Sequence, residues 1–161
     1  MGSRLKNNHN LAYIAGFLDG DGSLMFQIKK RKDGKIGWRF MFTICFYQDS
    51  RHASPLRWIR KELGIGYVSK RNDGMTELRV NGFYQIKQIL IDLIPYIRFK
   101  QKQAEAMLRA ARILTGKTTR QLSQRELMQI ASCMTIVQRE NYTARHKKTE
   151  QEIMGILGLT P

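Results

Sequence analysis

The sequence predicts an α+β fold in which helices alternate with paired strands, in the order αββαββα, around one antiparallel sheet and followed by further helices. Two observations carry this reading. Leu24 to Arg31 and Trp38 to Tyr47 each alternate apolar and polar residues with a period of two, and a second, shorter pair of such runs follows. Between and after these pairs, apolar residues recur at helical spacing.

Taken in order, Leu11 to about Asp21 reads as a short apolar helix with Asn10 as its cap, turning through glycines into a strand. Leu24, Phe26 and Ile28 form the inner face of the first strand, with Met25, Gln27, Lys29 and Arg31 facing out. Lys32-Asp33-Gly34-Lys35 makes a basic hairpin tip. Phe40, Phe42, Ile44 and Phe46 then face inward on the second strand, and Arg39, Met41, Thr43 and Cys45 face outward. Ser54-Pro55 supplies a cap and first-turn proline for a helix through Leu63, closed by Gly64. Tyr67 to Arg71 and Glu77 to Asn81 read as short strands joined by the Asn72-Asp73-Gly74 turn. Phe83 to Ile94 has helical spacing, and Pro95 interrupts it. Helices are expected from Gln101 to Leu114, from the Ser123/Glu126 capping box onward, and after Thr149/Glu152.

At 161 residues the chain is the size of a single domain, with a core expected over about residues 8–115 and C-terminal helices over about 116–161. Twenty-eight Lys and Arg against 13 Asp and Glu give a net charge of +15, which points to a polyanionic partner, nucleic acid above all. No apolar run approaches the roughly 18 residues of a membrane span, so no membrane partner and a soluble protein are expected. Cys45 and Cys133 stand alone, without a CxxC pair or a neighbouring histidine, which argues for packed thiols in a reducing compartment. His9 and His146 likewise lack clustered partners.

The first helix carries the chemistry. Ala12, Gly16 and Gly20 fall at i, i+4 and i+8, giving one face almost no side chain and inviting close contact with a second helix. Such a stripe occurs once in the chain, so its partner is expected on a second copy, with Ala12, Ala15, Gly16 and Asp19 at the interface of a twofold homodimer. Asp19 and Asp21 sit at the helix's C-terminal end, beside its free carbonyls, where negative charge is unfavourable unless a cation neutralises it. Carboxylates and a carbonyl make an oxygen site for a hard divalent ion. The outward residues Gln27, Lys29, Arg31, Arg39, Met41, Thr43 and Cys45, with Ser69, Arg71, Glu77, Arg79 and Asn81 on the second hairpin, are of the types that read base edges in a major groove.

The thirteen-residue run LAYIAGFLDGDGS, Leu11 to Ser23, resembles the signature of the LAGLIDADG homing endonucleases in its Leu-Ala start, its Ala15-Gly16-Phe17 centre and its Asp19-to-Ser23 end. GIGYV at Gly64–Val68 and KQKQA at Lys100–Ala104 resemble the single-motif, homodimeric branch. The resemblance covers about the first 105 residues. It implies a saddle-shaped sheet that binds double-stranded DNA, and a site-specific endonuclease that breaks both strands of a long pseudo-palindromic target and promotes intron mobility. It also implies dependence on Mg²⁺ or Mn²⁺, with no small-molecule cofactor, in an organelle (chloroplast or mitochondrion) or a prokaryotic cytoplasm. An intron RNA maturase and a non-catalytic DNA-binding regulator on the same scaffold are the alternatives. By the same resemblance Asp21 is the metal carboxylate, Gly20 lends its carbonyl, and Asp19 is a weaker neighbour. Gln48 positions solvent and Lys100 stabilises phosphate charge. Where the family carries a peripheral Arg or Lys, this chain has His52 beside Arg51. Three readings stay open there: a pH-sensitive His52, an inward-turned Arg51, and a plain surface pair.

Overall fold

A computed structural model describes residues 7–141 and 147–159; His146 lies outside them. Helix α1 (Asn8–Asp21) leads into strand β1 (Gly22–Lys30), which pairs with β2 (Trp38–Asp49). Helix α2 (Ser54–Leu63), strands β3 (Tyr67–Lys70) and β4 (Met75–Asn81) and helix α3 (Phe83–Leu93) follow. Helices α4 (Gln101–Leu114), α5 (Gln124–Glu140) and α6 (Glu150–Ile156) complete the described chain. The four strands form one antiparallel sheet in the order β1-β2-β4-β3, the mixed α+β arrangement expected from the alternation.

Alternation decides which face is buried. Leu24, Phe26 and Ile28 of β1, Phe42, Ile44 and Phe46 of β2, and Leu78 and Val80 of β4 share the inner face. Ile14 and Leu18 of α1, Leu56 and Ile59 of α2, and Ile86, Leu90 and Leu93 of α3 join them in a core cluster that also includes Met107 of α4 and Met134 of α5. Phe26 and Phe42 meet edge to face, with ring centroids 4.2 Å apart. Asn141, just beyond α5, donates its Nδ2 to the Leu24 carbonyl at 2.8 Å and ties the C-terminal helices to β1.

Several element ends differ from expectation: β1 starts at Gly22, β2 runs to Asp49 and β4 starts at Met75, and two helix caps shift. The cap of α1 is Asn7, whose side chain accepts from the His9 N–H at 2.9 Å; Asn10 lies within the helix and donates to Glu62 at 2.9 Å. Both positions have the chemistry of a cap, and the pairing of Asn10 across to α2 is a tertiary fact. Ala53, not Ser54, occupies the cap of α2, so Pro55 alone carries the start signal, while Gly64 closes that helix with φ 71°. A 3₁₀ turn at Ser50–His52, capped by Asp49, intervenes between β2 and α2.

The turn from α1 into β1 is tight. A Cβ built on Gly22 would lie 2.5 Å from Leu18 Cδ1 and 2.7 Å from both the Leu18 Cα and carbonyl oxygen. Gly22 therefore lets the strand leave the helix immediately after Asp21. Gly22→Ala is expected to destabilise the fold by about 1–3 kcal/mol through this backbone clash. Denaturant unfolding checks it; an unchanged midpoint at unchanged slope means that the helix end yields freely.

Candidate active site and nucleic-acid interface

The two aspartates of α1 point in different directions because residues two apart on a helix differ by about 200° around its axis. Asp19 shares the inner face with Ala15 and Leu18 and is 8% exposed, whereas Gly20 and Asp21 are exposed at the helix tip. The Asp19 carboxylate accepts three backbone N–H groups that precede α4: Arg98 at 2.6 Å and Phe99 at 3.2 Å on Oδ2, and Lys100 at 3.0 Å on Oδ1. The Lys100 ammonium donates in turn to the Asp19 carbonyl oxygen. Asp19 thus joins the ends of α1 and α4 within the chain. At 8% exposure, with both carboxylate oxygens engaged within the chain, Asp19 is not presented to a second copy as the dimer-interface expectation requires. Ala15 is not presented either, being fully buried in the chain's own core.

The outer face of α1 is the bare one. Ala12, Gly16 and Gly20 are exposed, and a Cβ at either glycine would meet nothing within 4 Å. Tyr13 is 53% exposed on α1, and Phe99, next to the Asp19 anchor, is 85% exposed.

Of the carbonyls at the end of α1, that of Leu18 accepts the Gly22 N–H and that of Asp19 accepts Lys100; Gly20 and Asp21 follow at the exposed tip. Lys100 is half-buried. Burial pushes its ammonium below the ordinary lysine value, while the charges of Asp19 and Asp21 pull the other way. Asp19, Lys100 and the Gly20–Asp21 tip are therefore one connected unit.

Strand register brings the second expected group to the same end of the sheet. Gly22 pairs with Phe46, so Gln48 lies two residues further along β2, on the side from which α1 arrives. Gln48 is half-buried, and its Oε1 accepts the Asp49 N–H at 2.8 Å. Asp49 also binds Arg51 through Nε at 3.0 Å and Nη2 at 2.8 Å. Those hydrogen bonds hold the Asp49 carboxyl well below the usual carboxylate range. Arg51 is thereby turned to Asp49 with its side chain 81% exposed, so the inward-turned alternative is not what the chain adopts; His52 beside it is also exposed.

The outer sheet face is built in cross-strand rows: Lys29 with Arg39, Gln27 with Met41, Met25 with Thr43 and Asn81, and Ser23 with Cys45, Arg79 and Tyr67. Lys29 and Arg39 are exposed and Gln27 and Met41 are half-buried, consistent with a surface that can be touched. Thr43 and Cys45 are not accessible, at 1% and 0% exposure, which corrects their placement among base-contacting residues. Both lie on an inner strand flanked on each side, and Thr43 donates to the Asn81 side chain at 2.8 Å.

Glu77 is also nearly buried at 8% exposure, clasped by Arg79 at 3.1 and 3.3 Å with Arg71 at 3.9 Å. Arg71 binds Asp73 at 2.8 Å and lies over the Tyr47 ring at 5.7 Å. Glu77 is therefore an internal counter-charge that fixes the two arginines, while Ser69 is half-buried opposite it. Arg31 sits just past β1 and is paired with Asp33 at 2.9 Å. Tyr47 continues the outward alternation of Thr43 and Cys45; burial and the neighbouring Cys45 push its hydroxyl up to about 12.

Among the described residues no group of three or more His, Cys, Asp and Glu could hold a metal ion. One exposed carboxylate with one helix-end carbonyl fits a hard cation whose remaining ligands are water and phosphate oxygens, not an all-protein cage.

The sequence matches the LAGLIDADG endonuclease family over residues 14–113. It is 37% identical over 97 residues to DNA endonuclease I-CvuI of Chlorella vulgaris, an alignment covering 60% of each chain. It is 26% identical over 151 residues to DNA endonuclease I-CreI of Chlamydomonas reinhardtii, covering 94% of this chain and 90% of that one. The fold superimposes with a TM-score of 0.81 and 28% identity on I-CvuI crystallised with its target in 2 mM Ca, over 96% of this chain and 100% of the other. Family match and fold agree, and the chain belongs to the LAGLIDADG endonuclease family.

Proposed function

We propose that the chain is a site-specific homing endonuclease that acts as a homodimer on long, pseudo-palindromic duplex DNA and breaks both strands with a divalent metal, Mg²⁺ or Mn²⁺. The observation that carries this reading is the exposed Gly20–Asp21 tip, linked to the Lys100 ammonium through Asp19 at one end of a basic sheet face.

The sheet face binds the duplex. Lys29 and Arg39 meet phosphates or guanine edges, Gln27 suits adenine, and Met41 suits a thymine methyl. Arg71 and Arg79 enter the groove already oriented by Glu77, so they lose little side-chain freedom on binding. The Asp21 carboxylate and Gly20 carbonyl would hold the ion. When bound, the ion lowers the pKa of its water, neutralises charge at the scissile phosphate and assists the leaving oxygen. The Lys100 ammonium stabilises phosphate charge from a position fixed by the protein, and Gln48 orients solvent from the end of β2. Asp49 engages the Arg51 guanidinium, and the exposed His52 beside it is the peripheral group left to face the substrate in this reading.

The bare outer stripe of α1 supports pairing with a second copy, which brings two acidic tips together, one for each strand. Two buried, unpaired thiols support a reducing, intracellular setting, organellar or prokaryotic. Incubating the chain with a randomised duplex library and Mg²⁺, then sequencing the cut ends, tests the reading. Recovery of a long site with approximate twofold symmetry supports it. Binding without any cut sequence contradicts it.

A further inference from the structure

We infer that Asp19 is a positioning residue: by gripping the backbone that precedes α4 it holds Lys100 against the acidic tip, and it takes no part in binding the metal. This rests on the endonuclease reading of the same tip. Both carboxylate oxygens are engaged within the chain, Oδ2 by the Arg98 and Phe99 N–H groups at 2.6 and 3.2 Å and Oδ1 by the Lys100 N–H at 3.0 Å.

A nearly buried carboxylate at the negative end of α1 is doubly unfavourable, through lost hydration and through the helix dipole. Two features offset this. Three N–H groups point at the carboxylate, and they lie at the positive end of α4, a helix of 14 residues. The residues joined are 79 to 81 positions apart in sequence, so the contact closes the fold around the site.

Lys100 is held twice by the same residue, its N–H on the Asp19 carboxylate and its ammonium on the Asp19 carbonyl. That double hold fixes both the base and the tip of a long, flexible side chain. Without the carboxylate, the three N–H groups lose their acceptor, the start of α4 loosens, and the ammonium leaves the phosphate position. A misplaced catalytic group slows the reaction far more than it weakens substrate binding.

The experiment compares Asp19→Asn and Asp19→Ala with the unmutated chain in two ways: amide hydrogen exchange of residues 98–100 without metal, and single-turnover cleavage of a selected duplex as Mg²⁺ is titrated. Asp19→Ala should expose these amides to exchange at least about tenfold faster and slow cleavage by about 10–100-fold, as loss of charge-assisted hydrogen bonds implies. The Mg²⁺ concentration for half-maximal rate should stay within about twofold, because no ligand is lost. Asp19→Asn keeps one acceptor oxygen and should recover part of the protection and part of the rate together; if the alanine variant does not fold, the asparagine variant carries both readouts. Unchanged exchange overturns the inference. So does a slowed rate restored by saturating Mg²⁺, which makes Asp19 a ligand. Failure of the unmutated chain to cut any duplex defeats the endonuclease reading instead, while the exchange contrast still decides the anchor.

Discussion

Asp21→Asn is expected to lower DNA cleavage by at least about 10³-fold, since removing the carboxylate proposed to hold the metal would forfeit several kcal/mol of transition-state stabilisation. Duplex binding measured in Ca²⁺ should change little. Loss of folding cannot imitate this result. Asp21 is exposed at the C-terminal end of α1, where its charge opposes the helix dipole, so its neutralisation should leave stability unchanged or raise it by about 0.3–1 kcal/mol. The variant therefore separates chemistry from structure. Single-turnover cleavage and thermal unfolding of one preparation check both halves, and cleavage within tenfold of the unmutated chain removes Asp21 from the reaction.

Gly16→Leu is expected to weaken self-association by at least about 10²-fold, because leucine cannot occupy a close helix crossing without pushing the backbones apart. The single chain should tolerate the change. A Cβ at Gly16 meets nothing within 4 Å, and replacing a mid-helix glycine by leucine favours α1 by up to about 1 kcal/mol. A side chain that is harmless to one copy and disruptive to two is a direct probe of the stripe. Sedimentation equilibrium over a range of concentrations reads the effect. A variant as dimeric as the unmutated chain places the interface on another surface.

Periodicity made much of this fold legible. The alternation in Leu24–Ile28 and Phe40–Phe46 assigned both sheet faces, and Pro55, Gly64 and the Ser123/Glu126 box marked helix ends where local chemistry decides them. Contacts distant in sequence were not legible. Asp19 and Asp21 are the same residue type one turn-half apart, and only the backbone at 98–100, some 80 positions away, shows which one the chain consumes. Depth on the outer sheet face was equally hidden. Alternation puts Thr43 and Cys45 on that face, yet both are buried there, Thr43 against the Asn81 side chain and Cys45 in register with Arg79. Glu77 read as a base-contacting residue because strand position gives direction, whereas its function as counter-charge depends on two arginines that fold onto it.

In the proposed mode of action two identical acidic tips, one from each of two copies, act on a single duplex. Sedimentation velocity of the protein saturated on its selected duplex in Ca²⁺ measures this directly. A complex of two chains per duplex is expected. A complex of one chain per duplex, with both strands still cut on replacing Ca²⁺ by Mg²⁺, would contradict it.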